Sequence, residues 1–382
     1  MKPSNQPFIP SIQRTATLVW LALLSMLCIT IALNSKVVHI SPTYEIKIKA
    51  AQRMLDAMTL LKETRMESSV FIDVENDPNE TGLVGNQFSL ITTDEGDLDA
   101  KLTTLDPNFA AAMVELFTRA GFEAGDTLAM MVTGSMPGSN IAVLIACEVM
   151  SITPIVISSV GASQWGANQP DFNWLDMEEI LYDNGFIHHR SIAASIGGRN
   201  DMGRLLSPKG RRLIEESIEH HGLYLIKNTS LKENVQERLT LLASIRPLDR
   251  YDGFINIGGG VASLGTTFNH KLLPPGIVTR AEVEAITRPG GIEGVLSHFA
   301  KSGVPVIHVL NIQRLTEMLG MPYAPIPWPE IGEGDLYSQK RYNLVIGFLS
   351  LLVVGGAAFI IGYRSLQQIK QRMEEHEPDS VL

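Results

Sequence analysis

The stretch that decides the fold is LAMMVTGSMPGSNIAVLIACEVMSITPIVIS, residues 128–158, where two short apolar segments flank a glycine-containing turn and a longer apolar segment. Residues Leu128–Val132 and Ile155–Ser158 have the length and composition of buried strands. Residues Ile141–Met150 between them are long enough to form a helix. A strand, a helix and a second strand in this order are typical of a parallel sheet with crossover helices.

The alternation of strands and helices continues to residue 309. Further strands are predicted at 192–195, 223–226, 254–257 and 304–309, and a short extended run at 85–93. Apolar spacing and cap residues predict helices at 44–65, 107–121, 175–184, 208–221, 232–244 and 293–302. We therefore expect an α/β fold with a mostly parallel sheet and flanking helices, Rossmann-like in type.

Two segments near the ends of the chain, 17–34 and 344–363, contain no charged side chain. A charge at the centre of an inserting helix costs about 2.5–3.5 kcal/mol, so both segments are predicted transmembrane helices. The first could instead be a cleaved signal peptide with Lys2 and Arg14 as its charged leader. However, the stretch at 32–35 lacks the small residues that a signal peptidase requires at two positions.

The two predicted spans divide the chain into seven segments. These are a tail (1–16), a span (17–34), a membrane-proximal helix (35–66), an α/β domain (67–320), a proline-rich tether (321–343), a span (344–363) and a charged tail (364–382). Basic residues in both tails predict that the tails are cytoplasmic and that the domain lies on the other side of the membrane. Basic residues after the first span and before the second argue for the opposite orientation.

Composition excludes some classes of partner. The chain has 41 acidic and 31 basic residues, a net charge of −10, so the basic face that nucleic-acid binding needs is not expected. Of the two cysteines, Cys28 lies in the first predicted span and Cys147 in a predicted helix, so neither an internal disulfide nor a cysteine zinc site is expected. No motif predicts a cofactor.

The turn between the first strand and helix is a candidate anion site. Its polar or small residues Thr133, Gly134, Ser135, Ser139 and Asn140 would lie at the carboxyl end of a parallel strand, where ligands usually bind, and at a helix N-terminus, which favours an anion. It lacks the lysine of a Walker motif and the first glycine of a nucleophile elbow. An ordinary turn capped by Ser139 or Asn140 is the alternative.

Three further loops follow predicted strands and are candidate binding loops. One is a polar loop around a tryptophan. One carries two guanidinium groups, which could clamp carboxylates or phosphates, or could belong to a solvated turn with a salt bridge to Asp201. One is a glycine-rich turn suited to an anion, in which Ser263 replaces the last small residue of a dinucleotide fingerprint. The predicted binding residues in these loops are Ser163, Gln164, Trp165, Asn168, Arg199, Asn200, Arg204, Gly258, Gly259, Gly260 and Ser263.

Candidate catalytic residues are fewer and form no diagnostic set. Ser135 and Ser163 are possible nucleophiles, and Asp171 and His308 are possible bases. Asp171, Asn173 and Asp176 carry side-chain oxygens close to Trp174, but the stretch lacks the glycine and the distal glutamate of an EF-hand loop. Helix capping by Asp171 or Asn173 is therefore favoured over metal binding. His308 on an apolar strand is expected to be either a hydrogen-bonded core residue or a residue that reaches the end of the sheet.

The stretch SQWGANQPDFNWLD, residues 163–176, together with shorter stretches at 108–111, 134–137, 192–198, 258–263 and 303–308, resembles the bacterial poly-gamma-glutamate system protein family. The resemblance covers nearly the whole predicted domain and the terminal anchors. It implies a component of the synthesis or export of this capsule-type polymer that is anchored in the bacterial inner membrane and acts beside a membrane-bound polyglutamate synthase. It implies no catalytic residues.

Three hypotheses about function follow. As a binding or assembly component, the domain would hold the polymer, another glutamate-containing substrate or the synthase, with Arg199, Arg204 and 258–260 as anion contacts. As an enzyme, it would be a hydrolase or transferase acting on the amide-linked chain. As a scaffold, only the spans in the lipid bilayer would matter. The net negative charge confines any polyanion binding to a local cleft.

Overall fold

The computed structural model describes residues 8–67, 72–286 and 291–375, which form two compact units. One unit contains the described residues up to Ile40 and from Ser338 onward, and the other is Ser41–Tyr337. The helices are α1 (Thr15–Asn34), α2 (Tyr44–Glu67), α3 (Leu98–Thr104), α4 (Asn108–Ala120), α5 (Pro137–Met150), α6 (Trp174–Asp183), α7 (Pro208–His220), α8 (Leu231–Ile245), α9 (Val261–Leu264), α10 (Asn269–Leu272), α11 (Arg280–Ile286), α12 (Val295–Lys301), α13 (Ile312–Leu319) and α14 (Leu344–Glu374). The strands are β1 (Lys36–Ile40), β2 (Thr127–Thr133), β3 (Thr153–Ser159), β4 (Asn168–Gln169), β5 (Phe172–Asn173), β6 (Ser191–Ser195), β7 (Tyr224–Ile226), β8 (Gly253–Ile257), β9 (Gly276–Val278), β10 (Val306–Val309) and β11 (Ser338–Tyr342).

The Ser41–Tyr337 unit is built on a seven-stranded sheet in the order β7-β6-β3-β2-β8-β10-β9. Every neighbouring pair is parallel except β10 and β9. The predicted α/β fold with a mostly parallel sheet is therefore confirmed. The chain moves outward from β2 through β3, β6 and β7, and then returns to the other side of β2 with β8. The carboxyl ends of β2 and β8 thus mark the point where the strand order reverses, which is where open α/β sheets usually bind ligands.

The sheet is buried on both faces, which explains why the strand sequences are largely apolar. Along β2, Leu128, Met130 and Val132 pack in one hydrophobic cluster, whereas Ala129 and Met131 pack in the other. This alternation follows from the two-residue period of a strand. Helices cover both faces, and the resulting core holds the strand ends in fixed positions.

Two segments differ from the sequence-based expectation, one directly before residue 41 and one within the Ser41–Tyr337 unit. The predicted membrane-proximal helix contributes α2, whose Met54 and Leu61 are fully buried in the core, and residues 36–40 form β1 instead of helix. The extended run predicted at 85–93 forms only a single bridge, between Thr92 and Ala162. Both differences arise because contacts with segments distant in sequence decide the local structure.

The proline-rich segment predicted as a tether is packed on the α/β unit as far as Tyr337. The Tyr337 hydroxyl is buried and donates to Asn108 Oδ1 at 2.6 Å, and Asn108 Nδ2 donates to the Pro329 carbonyl at 3.1 Å. The Ala324 amide donates to Thr103 Oγ1 at 2.8 Å. These bonds connect the segment to α3 and α4, so it is part of the unit that carries the cleft described below.

The other unit consists of two antiparallel helices and a two-stranded ribbon. Strands β1 and β11 pair antiparallel, and the Ser11 amide near the start of α1 donates to Gln368 Oε1 near the end of α14 at 3.0 Å. Helices α1 and α14 are long and apolar enough to cross a membrane. Their apolar side chains are not packed in a core, since Trp20 is 70% and Phe359 is 74% exposed.

Candidate functional site

A cleft of about 680 Å³ lies at the carboxyl ends of the central strands of the sheet. All four loops that the sequence analysis selected contribute to its wall. Loops that the sequence analysis did not select also contribute, namely the segment leading into α3, the loop after β10 and Tyr323. The lining residues used below are Thr93, Asp94, Glu95, Asp97, Lys101, Thr133, Ser135, Met136, Ser163, Arg199, Asp201, Gly258, Gly259 and Gly260.

Two close approaches between loops shape the wall at the reversal point. A Cβ on Gly258, which has φ +84°, would lie 2.3 Å from Thr133 Oγ1, so only glycine fits between the ends of β8 and β2. A Cβ on Gly134 would lie 2.4 Å from the Val160 carbonyl oxygen. The glycines therefore bring the loops after β2, β3 and β8 into direct contact.

Lys101 of α3 is the buried cation of this cleft, and its side chain meets residues from two of the selected loops. Its Nζ donates to the Ser135 carbonyl and lies 3.3 Å from Met136 Sδ and 3.0 Å from Ser163 Oγ. Among the ion pairs of the described residues, none includes Lys101. Burial, only partly offset by the charge of Asp97, lowers the pKa of Lys101 to about 7.

The two candidate serine nucleophiles are adjacent but have different surroundings. Ser163 is 9% exposed on the cleft wall, and its hydroxyl is the one that contacts Lys101. The Ser163 amide donates to Ser135 Oγ at 2.9 Å. Ser135 thus uses its carbonyl and its side chain to fix Lys101 and Ser163, while Ser163 alone presents its hydroxyl to the amine.

A buried ion pair connects the loop after β6 to α8. Asp201 and Arg238 are 3% and 1% exposed, and Arg238 Nη1 lies 2.7 Å from Asp201 Oδ2. Ser195 Oγ and Asn234 Nδ2 complete the network at 2.7 Å and 3.0 Å from the same carboxylate. The salt bridge of Asp201 is therefore made with α8 and not with the arginines of its own loop, as the solvated-turn alternative supposed.

The two arginines of that loop lie in different places. Arg199 is exposed and lines the main cleft, whereas Arg204 lines a second cavity with Arg211, Glu215 and Lys227. Asn200 adopts a left-handed backbone conformation, with φ 58°, and does not line either cavity. The two guanidinium groups therefore do not clamp one ligand together.

The rim of the cleft is acidic. Asp94, Glu95 and Asp97 are exposed along the segment that leads into α3, and Tyr323 donates its hydroxyl to Asp97 Oδ2 at 3.0 Å. Of the basic side chains that line the cleft, Arg199 is exposed and Lys101 is buried. A ligand with many carboxylates would therefore meet repulsion at the rim, and only a local anionic group could be held.

Several predicted site residues support the loops instead of lining the cleft. Asn168 is fully buried and exchanges two hydrogen bonds with the Asn86 backbone, at 2.9 Å and 2.7 Å. Gln164 Oε1 accepts from the Gly96 amide at 3.2 Å, and Trp165 packs partly buried against the core. Asn140 Nδ2 donates to the Thr133 carbonyl at 2.9 Å. Ser139 and Ser263 are likewise buried behind the wall.

The two proposed bases lie outside the cleft. Asp171 is an exposed residue of the turn between β4 and β5, and His308 is buried on β10 with its Nδ1 2.9 Å from Asn256 Nδ2. The expected capping role belongs to Asn173, which accepts from the Leu175 amide at 2.9 Å in a capping box with Asp176. Across the described ranges, no group of three His, Cys, Asp or Glu side chains could hold a metal ion.

Lys101 is the functional candidate that sequence reasoning missed. It lies in the stretch LDAKLTTLD, residues 98–106, which matches no motif, and its contacts with Ser135 and Ser163 bridge 34 and 62 positions. Only the Asp97 N-cap, which accepts from the Ala100 amide, could have indicated the helix from sequence. Comparison with known proteins adds no candidate, because no family model, curated protein or solved structure matches this chain.

Proposed function

We propose that this protein is a membrane-anchored component of a bacterial poly-gamma-glutamate synthesis or export system, and that the cleft of its α/β domain binds the amide-linked chain. The observation that carries the binding role is the convergence of four polar, glycine-containing loops on one cleft at the reversal point of the sheet. The strand order supports a Rossmann-like domain. The resemblance of residues 163–176 supplies the identity of the polymer.

The charges of the cleft specify how such a chain would bind. The acidic side chains at 94, 95 and 97 disfavour a row of carboxylates, so one carboxylate would pair with Arg199 while the remaining contacts are made to the amide backbone of the polymer. The amides of Gly259 and Gly260 donate to no other group within the described residues and can serve as such contacts. The cleft would thus bind the end of the polymer or a short segment of it.

The membrane part of the proposal rests on the two apolar helices. Arg14 before α1, and Arg364, Lys370 and Arg372 in the last turns of α14, support cytoplasmic tails in the inner membrane, which leaves the cleft outside. In this position the domain could receive an emerging polymer from membrane-bound synthase components, which are the proposed protein partners.

Replacement of Arg199 tests the binding role. A lost charge-assisted hydrogen bond costs about 1.5–3 kcal/mol, so Arg199→Gln should weaken binding of gamma-linked glutamate oligomers by roughly 10- to 100-fold. Calorimetric titration of the full-length protein in detergent micelles measures this. Arg204→Gln is the matched control, because Arg204 belongs to the same loop but lines the second cavity. The Arg204→Gln variant should bind the oligomers as tightly as the wild type.

Two results would overturn the proposal. If Arg199→Gln binds the oligomers as tightly as the wild type, the cleft is not where the carboxylate is held. If the wild type itself binds no oligomer, the polymer is not the ligand. The alternative role as a hydrolase or transferase is favoured by a separate observation, the contact between Lys101 and Ser163.

A further inference from the structure

We propose that Ser163 and Lys101 form a serine–lysine catalytic pair that cleaves or transfers an acyl group, with Ser163 as nucleophile and Lys101 as general base. The inference uses the cleft of the proposed function, but it does not depend on the identity of the polymer. Any substrate would be an amide or ester whose carbonyl carbon reaches Ser163 Oγ from the cleft.

The contacts of Lys101 Nζ suit both protonation states, because an ammonium donates three N–H bonds, whereas a neutral amine donates two and keeps one lone pair. Two of its neighbours can only accept, namely the Ser135 carbonyl oxygen and Met136 Sδ. The third, the Ser163 hydroxyl at 3.0 Å, can also donate. When the amine is neutral, its lone pair therefore faces the hydroxyl hydrogen of Ser163, which is the geometry that proton abstraction requires.

The surroundings keep a useful fraction of Lys101 neutral near pH 7. The side chain is 4% exposed, and no carboxylate pairs with it among the described residues. Burial lowers its pKa to about 7, close to the value at which a base combines availability with strength. The other candidate bases, Asp171 and His308, do not line the cleft, so Lys101 is the base that the geometry provides.

The reaction balances without a cofactor. As Ser163 Oγ bonds to the carbonyl carbon, its proton passes to Lys101 Nζ, and the π electrons move to the carbonyl oxygen. When the C–N or C–O bond to the leaving group breaks, the Lys101 ammonium returns the proton to that group, leaving an ester on Ser163. Water then gives a proton to Lys101 and attacks the ester carbonyl, and as the bond to Ser163 Oγ breaks the Lys101 ammonium returns that proton to the serine, so that a carboxylic acid is released. An amine acceptor in place of water gives transfer.

Acylation with p-nitrophenyl acetate tests the pair directly. The full-length protein in detergent micelles is treated between pH 6 and 8.5, and the acetyl adduct is quantified and located by peptide mass spectrometry. We expect one acetyl group on Ser163, formed at a rate that rises with pH around a midpoint near 7 as Lys101 loses its proton. Ser163→Ala should lose the adduct, and Lys101→Met should slow its formation by roughly 10²- to 10⁴-fold.

Two exposed residues of the same types provide controls. Ser302→Ala and Lys232→Gln alter exposed side chains that do not line the cleft, and both variants should acylate like the wild type. Thermal unfolding of each variant shows whether a lost adduct reflects lost folding. If Lys101→Met does not fold, the pH profile of the wild type still reports on the base, because a lysine with only a structural role would not set that midpoint.

The outcomes separate this inference from the binding proposal. An adduct on another residue, an unchanged adduct in Ser163→Ala, or a rate independent of pH from 6 to 8.5 would overturn the catalytic pair. Oligomer binding without acylation of Ser163 leaves the binding role intact and removes the catalytic one. Acylation of Ser163 without oligomer binding supports the pair and removes the polymer as its substrate.

Discussion

At the scale of single residues, the most informative position is Lys101, because a buried amine without a paired acid destabilises the fold whenever it is protonated. Lysine is almost never fully buried unless it is paired. The contacts of Nζ with a carbonyl oxygen, a thioether sulfur and a hydroxyl compensate only in part, since none of these groups carries a charge. A cost of this kind is typical of sites where the neutral amine is needed.

Lys101→Met is expected to change how stability depends on pH. The pKa of Lys101 is about 7 in the folded protein, whereas the ordinary value of 10.5 applies to the unfolded chain. Between pH 7 and 10.5 the unfolded chain therefore binds more protons than the folded protein, and folding becomes more favourable as pH rises. From pH 7 to 8.5 the wild type should gain up to about 2 kcal/mol relative to the variant. Urea unfolding followed by tryptophan fluorescence measures the difference.

The exposed Lys232 gives the comparison for this measurement, and Lys232→Met should follow the wild type across the same range. The window ends near pH 8.5 because burial raises the pKa of the Cys147 thiol, which contributes the opposite slope once the unfolded thiol ionises. If the free energies of unfolding of the wild type and Lys101→Met change in parallel with pH, Lys101 does not titrate between pH 7 and 8.5. The prediction would then be wrong, because Lys101 would be neutral, or charged, over the whole range.

At the scale of secondary-structure elements, the buried pair Asp201–Arg238 connects the end of β6 to α8. The Asp201 carboxylate has three partners, because Ser195 and Asn234 donate hydrogen bonds to it in addition to Arg238. The left-handed conformation of Asp201, with φ 60°, is maintained by these partners. The network therefore fixes the loop that presents Arg199 to the cleft.

Asp201→Ala should cost about 3–5 kcal/mol of the free energy of unfolding, because it leaves the Arg238 guanidinium buried without a counter-ion. Glu215→Ala is the matched control, since its partner Lys227 is 55% exposed and surface pairs contribute at most about 1 kcal/mol. Urea unfolding measures both. Equal small losses in the two variants would mean that water reaches Arg238 and that the network does not fix the loop.

At the scale of the whole molecule, the antiparallel arrangement of α1 and α14 places the start of one helix beside the end of the other. The Ile12 amide donates to Ser365 Oγ at 2.8 Å, in addition to the bond from Ser11 to Gln368. If both helices cross a membrane, the two tails lie on the same side and residues 41–337 begin and end on the other.

Cysteine labelling in spheroplasts is expected to show the proposed orientation. Ser302→Cys, exposed in the α/β unit, should react with a membrane-impermeant maleimide, and Gln371→Cys, exposed near the end of α14, should react only after permeabilisation. The native cysteines are buried, so background labelling should be low. The reverse pattern would place the domain in the cytoplasm, and labelling of both positions in intact spheroplasts would argue against two spans.

The sequence by itself determined the α/β class, the two apolar terminal helices and four of the loops that form the cleft wall. These features depend on hydrophobic period, length and turn residues, which act between near neighbours in the chain. For example, the glycine turns at 134 and 258 were identifiable because parallel strands end at a common edge, so the loops that follow them meet.

Only the tertiary structure decided which polar groups meet within those loops. The contact of Lys101 with Ser163, the pairing of Asp201 with Arg238 and the separation of Arg199 from Arg204 depend on packing between segments far apart in sequence. Burial, only partly offset by the charge of Asp97, sets the pKa of Lys101, and this burial is a property of the folded core. No local pattern encodes them, because the same lysine on an exposed helix would be an ordinary cation.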